Sequence, residues 1–284
     1  MIRDPAIAAG LRFETHPETG EPLDRLLSRA AELNPVTVSV VHAAALVLAN
    51  TGEVDQALEL TRSMFGYDPG RAAETLSQIE TLVLGARLEQ GMPATPEAWT
   101  AWAKRLRDAR RHDEAMQWFE RAHRRWPEHL PALTQVAGAA FTRRDWLRLA
   151  ELLPLGTTLP AEAQAAYPLA WRAHMRWANG DRTGAVADME AALERAAYPG
   201  VRRLAGDLFA ALGEIERARS EWNRALHDLR ESPARATLLS RLARLEQEHG
   251  RPAAALRHWE ALLAIDPDHQ EALRRRDDLS GFNR

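Results

Sequence analysis

The chain has 284 residues, a net charge of −3 and no cysteine. The missing cysteines exclude a disulfide framework, a thiolate zinc site and a cysteine nucleophile, while 45% hydrophobic residues favour a packed core over a disordered chain. The first residues lack the apolar core of a signal peptide, and no apolar run reaches the roughly 18 residues of a membrane span. We therefore expect the chain as given to be soluble, without membrane insertion, and cytoplasmic. It would be periplasmic if it were a segment of a larger envelope protein.

The charges are distributed unevenly along the sequence. Residues 1–96 carry 7 basic and 13 acidic side chains, a net charge of −6, whereas residues 97–150 carry 11 basic and 7 acidic ones, a net charge of +4. The positive section can steer an anionic partner, but the overall acidity is unlike that of a nucleic-acid-binding domain. Lys104 is the only lysine among the 37 basic residues. This arginine excess suggests the codon usage of a GC-rich bacterial genome and predicts mostly solvated arginines.

In chain order, amphipathic helical stretches alternate with short turns. Small residues, large apolar residues and a turn recur about every 34 residues, which is the sign of stacked helix pairs. The predicted segments are 1–37 (an N-terminal helix or partial repeat), 38–71 (repeat), 72–95 (divergent helix), 96–129 (repeat), 131–164 (degenerate repeat), 166–199, 199–232 and 236–269 (repeats), and 270–284 (a capping helix and tail).

The copy at 236–269 shows the pattern most clearly. Its two helices are predicted by small and apolar residues three or four positions apart, which share one helix face: Leu239, Leu242 and Ala243, then Ala255, Trp259 and Leu262. Gly250 lies between them and predicts the turn, and Pro267 ends the second helix. Small residues at 243 and 255 predict a close crossing of the two helix axes, where the aromatic at 259 fills the groove toward the next unit.

This spacing of small and large residues resembles that of the tetratricopeptide repeat, in five or six recognisable copies over residues 22–269. The resemblance implies an all-α fold: a right-handed α-solenoid of stacked antiparallel helix pairs, which grows along one dimension because each unit touches only its neighbours. Known members of the family are mostly scaffolds and peptide-binding adaptors. The resemblance therefore implies a binding surface and no reaction.

In the family, the first helix of each pair lines the concave face and its positions 2, 5, 9, 12 and 13 meet ligands. Carried over to this sequence, those positions predict eight partner-binding residues: Asn50, Lys104, Arg107, Gln135, Arg143, His174, Trp177 and Arg203. They also select His42, Thr100, Asp207, Arg244 and Gln247. Lys104, Arg107 and Arg143 lie in the positive section, where an acidic peptide could pair with them. An ordinary charged helix surface is the alternative interpretation. The family's lysine–asparagine clamp for a C-terminal carboxylate is not matched.

The nine tryptophans mostly occupy positions predicted to be core. Trp99, Trp102, Trp222 and Trp259 fall at apolar positions of the repeat, and Trp177 is the one that falls at a concave position. The sequence has no His-Glu-x-x-His zinc motif, no glycine-rich phosphate loop and no Gly-x-Ser-x-Gly elbow. We therefore expect no catalytic residue, no metal and no cofactor.

Three functions fit these observations. The first is a non-catalytic scaffold whose concave groove binds a protein or an acidic peptide. The second is the repeat portion of a larger bacterial enzyme or envelope-assembly machine, of the glycan polymerase or glycosyltransferase type. The third is an effector-sensing regulator with hinges at 72–95 and 154–165. The polar C-terminal segment favours a monomer, and nucleic acid is excluded as a partner by the overall acidity.

Overall fold

The computed structural model describes residues 35–82, 88–229 and 233–281. Over those residues the chain forms fourteen α-helices and two short 3₁₀ helices, and the described part contains no β-strand. The predicted all-α helical repeat fold is thus confirmed. The chain divides into two compact units, Met1–Val136 and Ala137–Arg284, called here the N-terminal unit and the C-terminal unit. The predicted N-terminal helix at 1–37 lies outside the described residues except for its last three.

The N-terminal unit is built from antiparallel helix pairs. Its elements are α1 (Pro35–Thr51), α2 (Val54–Met64), α3 (Pro69–Leu82), the 3₁₀ helix Leu88–Gly91, α4 (Pro96–Asp108), α5 (His112–Arg125) and α6 (Leu130–Thr142), which continues into the C-terminal unit. α1 packs against α2 and α4 against α5, and their short connections make each pair antiparallel. α3 contacts α1, α2 and α4. In the divergent stretch 72–95, α3 therefore takes the place of a first helix, and the 3₁₀ helix against α2 follows it.

The C-terminal unit repeats the same arrangement three times. Its elements are α7 (Trp146–Leu152), the 3₁₀ helix Ala163–Ala165, α8 (Ala166–Ala178), α9 (Arg182–Arg195), α10 (Pro199–Ala211), α11 (Ile215–Asp228), α12 (Pro233–Glu248), α13 (Pro252–Leu263) and α14 (Gln270–Gly281). The pairs are α8 with α9, α10 with α11 and α12 with α13. α8 also contacts α10, α11 contacts α12, and α13 contacts α14, so successive pairs stack within this unit.

The turn between the two helices of a pair has one conformation in both units. Its residue adopts a left-handed backbone, with φ of 80° at Gly213 and 68° at Gly250, which glycine does without strain. Arg110 and Arg144 occupy the same turn in two other copies, with φ of 61° and 57°. A residue other than glycine is strained in this left-handed backbone conformation. The turn at Gly250 was predicted, whereas the arginine turns have no glycine to signal them.

Close helix crossing depends on a small residue beneath an aromatic one. Gly206 of α10 is buried, and a Cβ added there would lie 2.3 Å from Cδ1 of Trp222 on α11. The Trp222 ring therefore packs across the first helix of its own pair. Its Nε1 donates a hydrogen bond to the carbonyl oxygen of Arg203, at 3.2 Å. The expected filling of the groove toward the next unit is seen at Trp259, which lies in one buried cluster with Ala272 and Leu279 of α14.

The last pair is closed by α14. Ala272 and Leu279 are buried in the cluster formed by Leu239, Trp259 and Leu262, while most other described side chains of α14 are exposed. One apolar face thus covers the final core and the polar face meets solvent, as the end of a helical repeat requires.

The irregular segment after α7 is fixed by arginine side chains. The guanidinium groups of Arg172, Arg176 and Arg195 donate hydrogen bonds to backbone carbonyls of this segment: Thr157 at 2.7 Å, Leu155 at 3.1 Å and Pro160 at 2.9 Å. Carbonyl groups that lack a helical partner are satisfied in this way. The contacts tie residues 155–160 to α8 and α9.

Candidate functional site

The eight predicted partner-binding residues fall into two sets of four. Asn50, Lys104, Arg107 and Gln135 belong to the N-terminal unit; Arg143, His174, Trp177 and Arg203 belong to the C-terminal unit. The predicted positive group of Lys104, Arg107 and Arg143 is thereby divided between the two units.

In the N-terminal unit, the structure brings Arg107 and Gln135 together. Nη1 of Arg107 donates a hydrogen bond to Oε1 of Gln135 at 2.8 Å. Lys104 and Arg107 are both exposed on α4, three residues apart and therefore neighbours on one helix face. Asn50 is exposed near the end of α1. The two cations of α4 form the accessible part of this set.

In the C-terminal unit, His174 has a structural contact. Its Nε2 donates to the carbonyl oxygen of Leu204 at 3.0 Å, which links α8 to α10. Burial lowers the pKa of His174, and the nearby Arg203 and Arg241 lower it further against the effect of that hydrogen bond. Its neighbour on α8, Trp177, is 40% exposed. Trp177 is therefore the more accessible of these two ring side chains.

Arg203 belongs to a cluster around a single carboxylate. Nη1 of Arg203 donates to Oδ2 of Asp207 at 3.0 Å, Nη1 of Arg241 donates to Oδ1, and Nε1 of Trp222 donates to Oδ1 at 3.1 Å. Burial raises the pKa of Asp207, although both guanidinium groups oppose this change. The Asp207 side chain is 15% exposed, whereas those of Arg203 and Arg241 are 33% and 35% exposed. We call Arg203 and Arg241 the cation pair; together with an ionised Asp207 they carry one excess positive charge.

Four aromatic rings run beside this cluster. Ring centroids are 6.0 Å apart for Phe141 and Trp171, 5.7 Å for Trp171 and Tyr167, and 6.2 Å for Tyr167 and Tyr198. The corresponding interplanar angles are 27°, 35° and 11°. Tyr198 is 43% exposed and the other three are half-buried. We call these four residues the aromatic strip.

The buried ion pairs of the C-terminal unit are not predicted by the apolar pattern of the sequence. Arg172 is only 6% exposed, and it donates two hydrogen bonds to Asp188, at 2.8 and 2.6 Å. Arg176 donates a third to the same carboxylate at 2.7 Å. These arginines depart from the expected solvated surface. One signal for them was available: the helical period of 3.6 residues places a charged residue on the face of α8 that packs against its partner helix.

Other kinds of site have little support in the described part of the chain. No group of three His, Asp or Glu side chains there could hold a metal ion. No helix there is long and apolar enough to cross a membrane. The N-terminal unit has an open cavity of about 730 Å³, with Leu58, Phe65 and Pro93 beside the charged side chains of Asp55, Glu59 and Arg62. This mixed lining selects no single class of ligand.

The helix pairs and their shared turn define a protein of the all-α helical repeat class. Residues 96–139, which include α4, α5 and most of α6, match the family model described as tetratricopeptide repeat. The chain therefore carries this repeat and has the fold of tetratricopeptide-repeat proteins, as its spacing of small and large residues predicts. No curated protein matches the sequence.

Three solved structures illustrate the likeness of fold. The crystal structure of the APC/C hetero-tetramer Cut9–Hcn1 is 15% identical with a TM-score of 0.58, over 90% of this chain and 52% of that one. A structure of pilF from Pseudomonas aeruginosa is 15% identical with a TM-score of 0.51, over 85% and 99%. PilW, called a type IV pilus biogenesis factor, is 15% identical with a TM-score of 0.52, over 78% and 97%. The chain spans about half the length of the first of these.

Proposed function

We propose that the chain is a non-catalytic scaffold that binds a protein or peptide segment on the surface that the first helices form within each unit. The cation pair is the observation that carries this proposal. Arg203 and Arg241 come from two successive first helices, α10 and α12, and share the carboxylate of Asp207. Their excess charge favours an acidic segment, because guanidinium groups pair with carboxylates in directed, charge-assisted hydrogen bonds.

Exposed side chains on the first helices of each unit support this proposal. Trp177 on α8 is exposed beside His174, and Lys104 and Arg107 are exposed on the first helix α4 of the N-terminal unit. Tryptophan and arginine are the residues most often found to dominate binding energy at interfaces. A protein with this fold, Cut9, is part of a hetero-tetramer with Hcn1; by analogy of fold, an assembly role suits this chain also.

Affinity capture from the native host tests the proposal. We expect the partner to be lost from the double variant Arg203→Gln/Arg241→Gln and weakened by Trp177→Ala. It should be retained by the control Arg224→Gln/Arg257→Gln, which removes the same charge from exposed positions of the second helices α11 and α13. The double variant Lys104→Gln/Arg107→Gln measures how much the N-terminal unit contributes to binding of the partner. Circular dichroism confirms that each variant is folded. Equal capture by all variants would contradict binding of the partner at the first helices.

The second hypothesis, a repeat portion of a larger envelope-assembly machine, has support in the fold of PilW, a type IV pilus biogenesis factor. It predicts that the captured partner is an envelope protein rather than a cytoplasmic one. A third hypothesis, a regulator with a hinge at 154–165, is disfavoured by the arginine contacts to the backbone of 155–160. A segment held at several carbonyl groups gives little freedom to a hinge.

A further inference from the structure

The aromatic strip offers ring faces to a ligand. Tyr167 and Tyr198 are nearly parallel, at 11°, with centroids 6.2 Å apart. Because parallel rings in contact lie about 3.5 Å apart across their planes, these two rings are displaced sideways by about 5 Å and cover only part of each other. The uncovered part is accessible, since Tyr198 is 43% exposed and Phe141, Trp171 and Tyr167 are half-buried.

Two glycines leave room for the outer ends of two of the rings on neighbouring helices. A Cβ at Gly138 on α6 would lie 2.9 Å from the ring of Trp171, and one at Gly200 on α10 would lie 2.2 Å from the hydroxyl oxygen of Tyr167. Any larger residue at either position would push a ring away. The strip thus reaches from α6 across α8 to the start of α10, all within the C-terminal unit.

The helices that carry the strip favour a ligand that needs no hydrogen bonds from the backbone of the protein. Phe141 and Trp171 lie within helices α6 and α8, where the backbone N–H and C=O groups are bonded along the helix, whereas Tyr198 directly precedes α10. An extended peptide therefore gains no ladder of backbone hydrogen bonds here, and its affinity must come from side-chain packing. Polyproline II segments suit such a surface because they have no internal hydrogen bonds, are preformed in solution and pack prolyl rings on aromatic side chains.

The positive charge of the cation pair sets a second requirement for the ligand. The hydroxyl group of Tyr167 lies against Gly200 of α10, and Arg203 is three residues further along the same helix and therefore on the same face, so the cation pair adjoins the strip. The next arginine along the surface, Arg244 on α12, is matched by Glu271 of α14. The excess positive charge is thus localised at the cation pair, where a carboxylate of the ligand would find N–H donors.

We propose that the aromatic strip and the cation pair together bind a proline-rich segment that carries acidic side chains. Prolyl rings pack on Tyr198, Tyr167 and Trp171, and a neighbouring Asp or Glu of the segment pairs with Arg203 and Arg241. The inference rests on the proposed scaffold function and specifies the class of its partner.

Fluorescence polarisation with three labelled peptides tests this proposal on the full chain. The peptides are repeats of Pro-Pro-Glu, of Ala-Ala-Glu, which keeps the charge, and of Pro-Pro-Lys, which keeps the prolines. We expect Pro-Pro-Glu to bind most tightly, and each of the others about tenfold more weakly. Tyr198→Ala should weaken Pro-Pro-Glu about fivefold and leave Ala-Ala-Glu unchanged. Leu147→Ala is the control, because this exposed apolar side chain of α7 lies outside the strip.

The outcomes separate this inference from the proposed function. Arg203→Gln/Arg241→Gln should remove the preference for Glu over Lys and keep the preference for Pro over Ala. If Ala-Ala-Glu binds as tightly as Pro-Pro-Glu, or if Tyr198→Ala has no effect, the proline requirement is wrong while an acidic partner stands. If none of the peptides binds, the inference is wrong, and the capture experiment still decides the scaffold function.

Discussion

The two units use the same apolar repeat but connect their helices by different polar contacts. In the N-terminal unit the contacts are between neutral or exposed groups: Nδ1 of His42 lies 2.7 Å from Oγ1 of Thr75, and the partly exposed Arg111 pairs with Glu80 and Glu114. In the C-terminal unit, one carboxylate binds two arginines at the buried Asp188 and again at Asp207, whose side chain is 15% exposed. Apolar positions alone thus determine the helix pairs, whereas buried charges distinguish one unit from the other.

The largest effect should follow from breaking a buried ion pair. Arg172→Met leaves Asp188 with Arg176 alone and removes a hydrogen bond to the Thr157 carbonyl. Loss of one partner of a buried pair costs about 3 kcal/mol or more, measured as the free energy of unfolding in urea. The double variant Arg172→Met/Asp188→Leu should recover part of that loss, because no unpaired carboxylate is left and Arg176 keeps Asp181, while the Thr157 carbonyl still lacks its donor. A single-variant cost near zero would mean that the pair is not buried in solution.

A smaller effect is expected at the close crossing of α10 and α11. Gly206→Ala places a Cβ against the ring of Trp222, and overpacking costs about 1–3 kcal/mol, against about 1 kcal/mol gained in helix propensity. Gly70→Ala in α3 is the matched control, since its Cβ would have only an ordinary contact at 3.5 Å. The control should unfold at an unchanged or higher urea concentration. If Gly206→Ala stabilised the chain as Gly70→Ala does, the close crossing of α10 and α11 would be contradicted.

An exposed ion pair of the N-terminal unit should matter less. Arg111 is 36% exposed in its side chain, and it links α3 to α5 through Glu80 and Glu114. Arg111→Gln should cost about 1 kcal/mol or less, because solvent screens such pairs, and the cost should shrink further in high salt. Urea unfolding at low and high ionic strength measures both. A loss as large as that of Arg172→Met would remove the distinction between the units.

The smallest effect concerns pH. Burial, together with Arg203 and Arg241, lowers the pKa of His174 in the folded chain, while the unfolded chain keeps the ordinary value near 6.5. Below that value the unfolded state binds the extra proton, so stability falls as the pH drops from about 6.5 toward the folded pKa. His174→Gln keeps a donor for the Leu204 carbonyl and should flatten this slope. The free energy of unfolding of both proteins, measured between about pH 5.5 and about pH 7.5, tests this prediction. The same slope with pH in the unchanged chain and in His174→Gln would contradict it.

The sequence determines more of the fold than of the site. Residues such as Gly250, Trp259 and Ala255 lie in the predicted turn and core because helical periodicity depends on neighbours within one repeat. The cluster at Asp207 has a partly local origin, since Arg203 is four residues away on the same helix. Arg241 lies one repeat further on, and the buried pair of Arg172 and Asp188 joins two helices. Such contacts depend on how helices rotate against each other, which the apolar pattern does not determine.

The single lysine has a practical consequence. Lys104 is exposed on α4, within the proposed binding surface of the N-terminal unit, and every other basic residue is an arginine. Amine-reactive reagents will therefore modify only this side chain and the N-terminal amine. A dye or photo-crosslinker attached at Lys104 would report directly on occupancy of the N-terminal unit's surface. Immobilisation through the same amine would block that surface and leave the C-terminal unit free to bind.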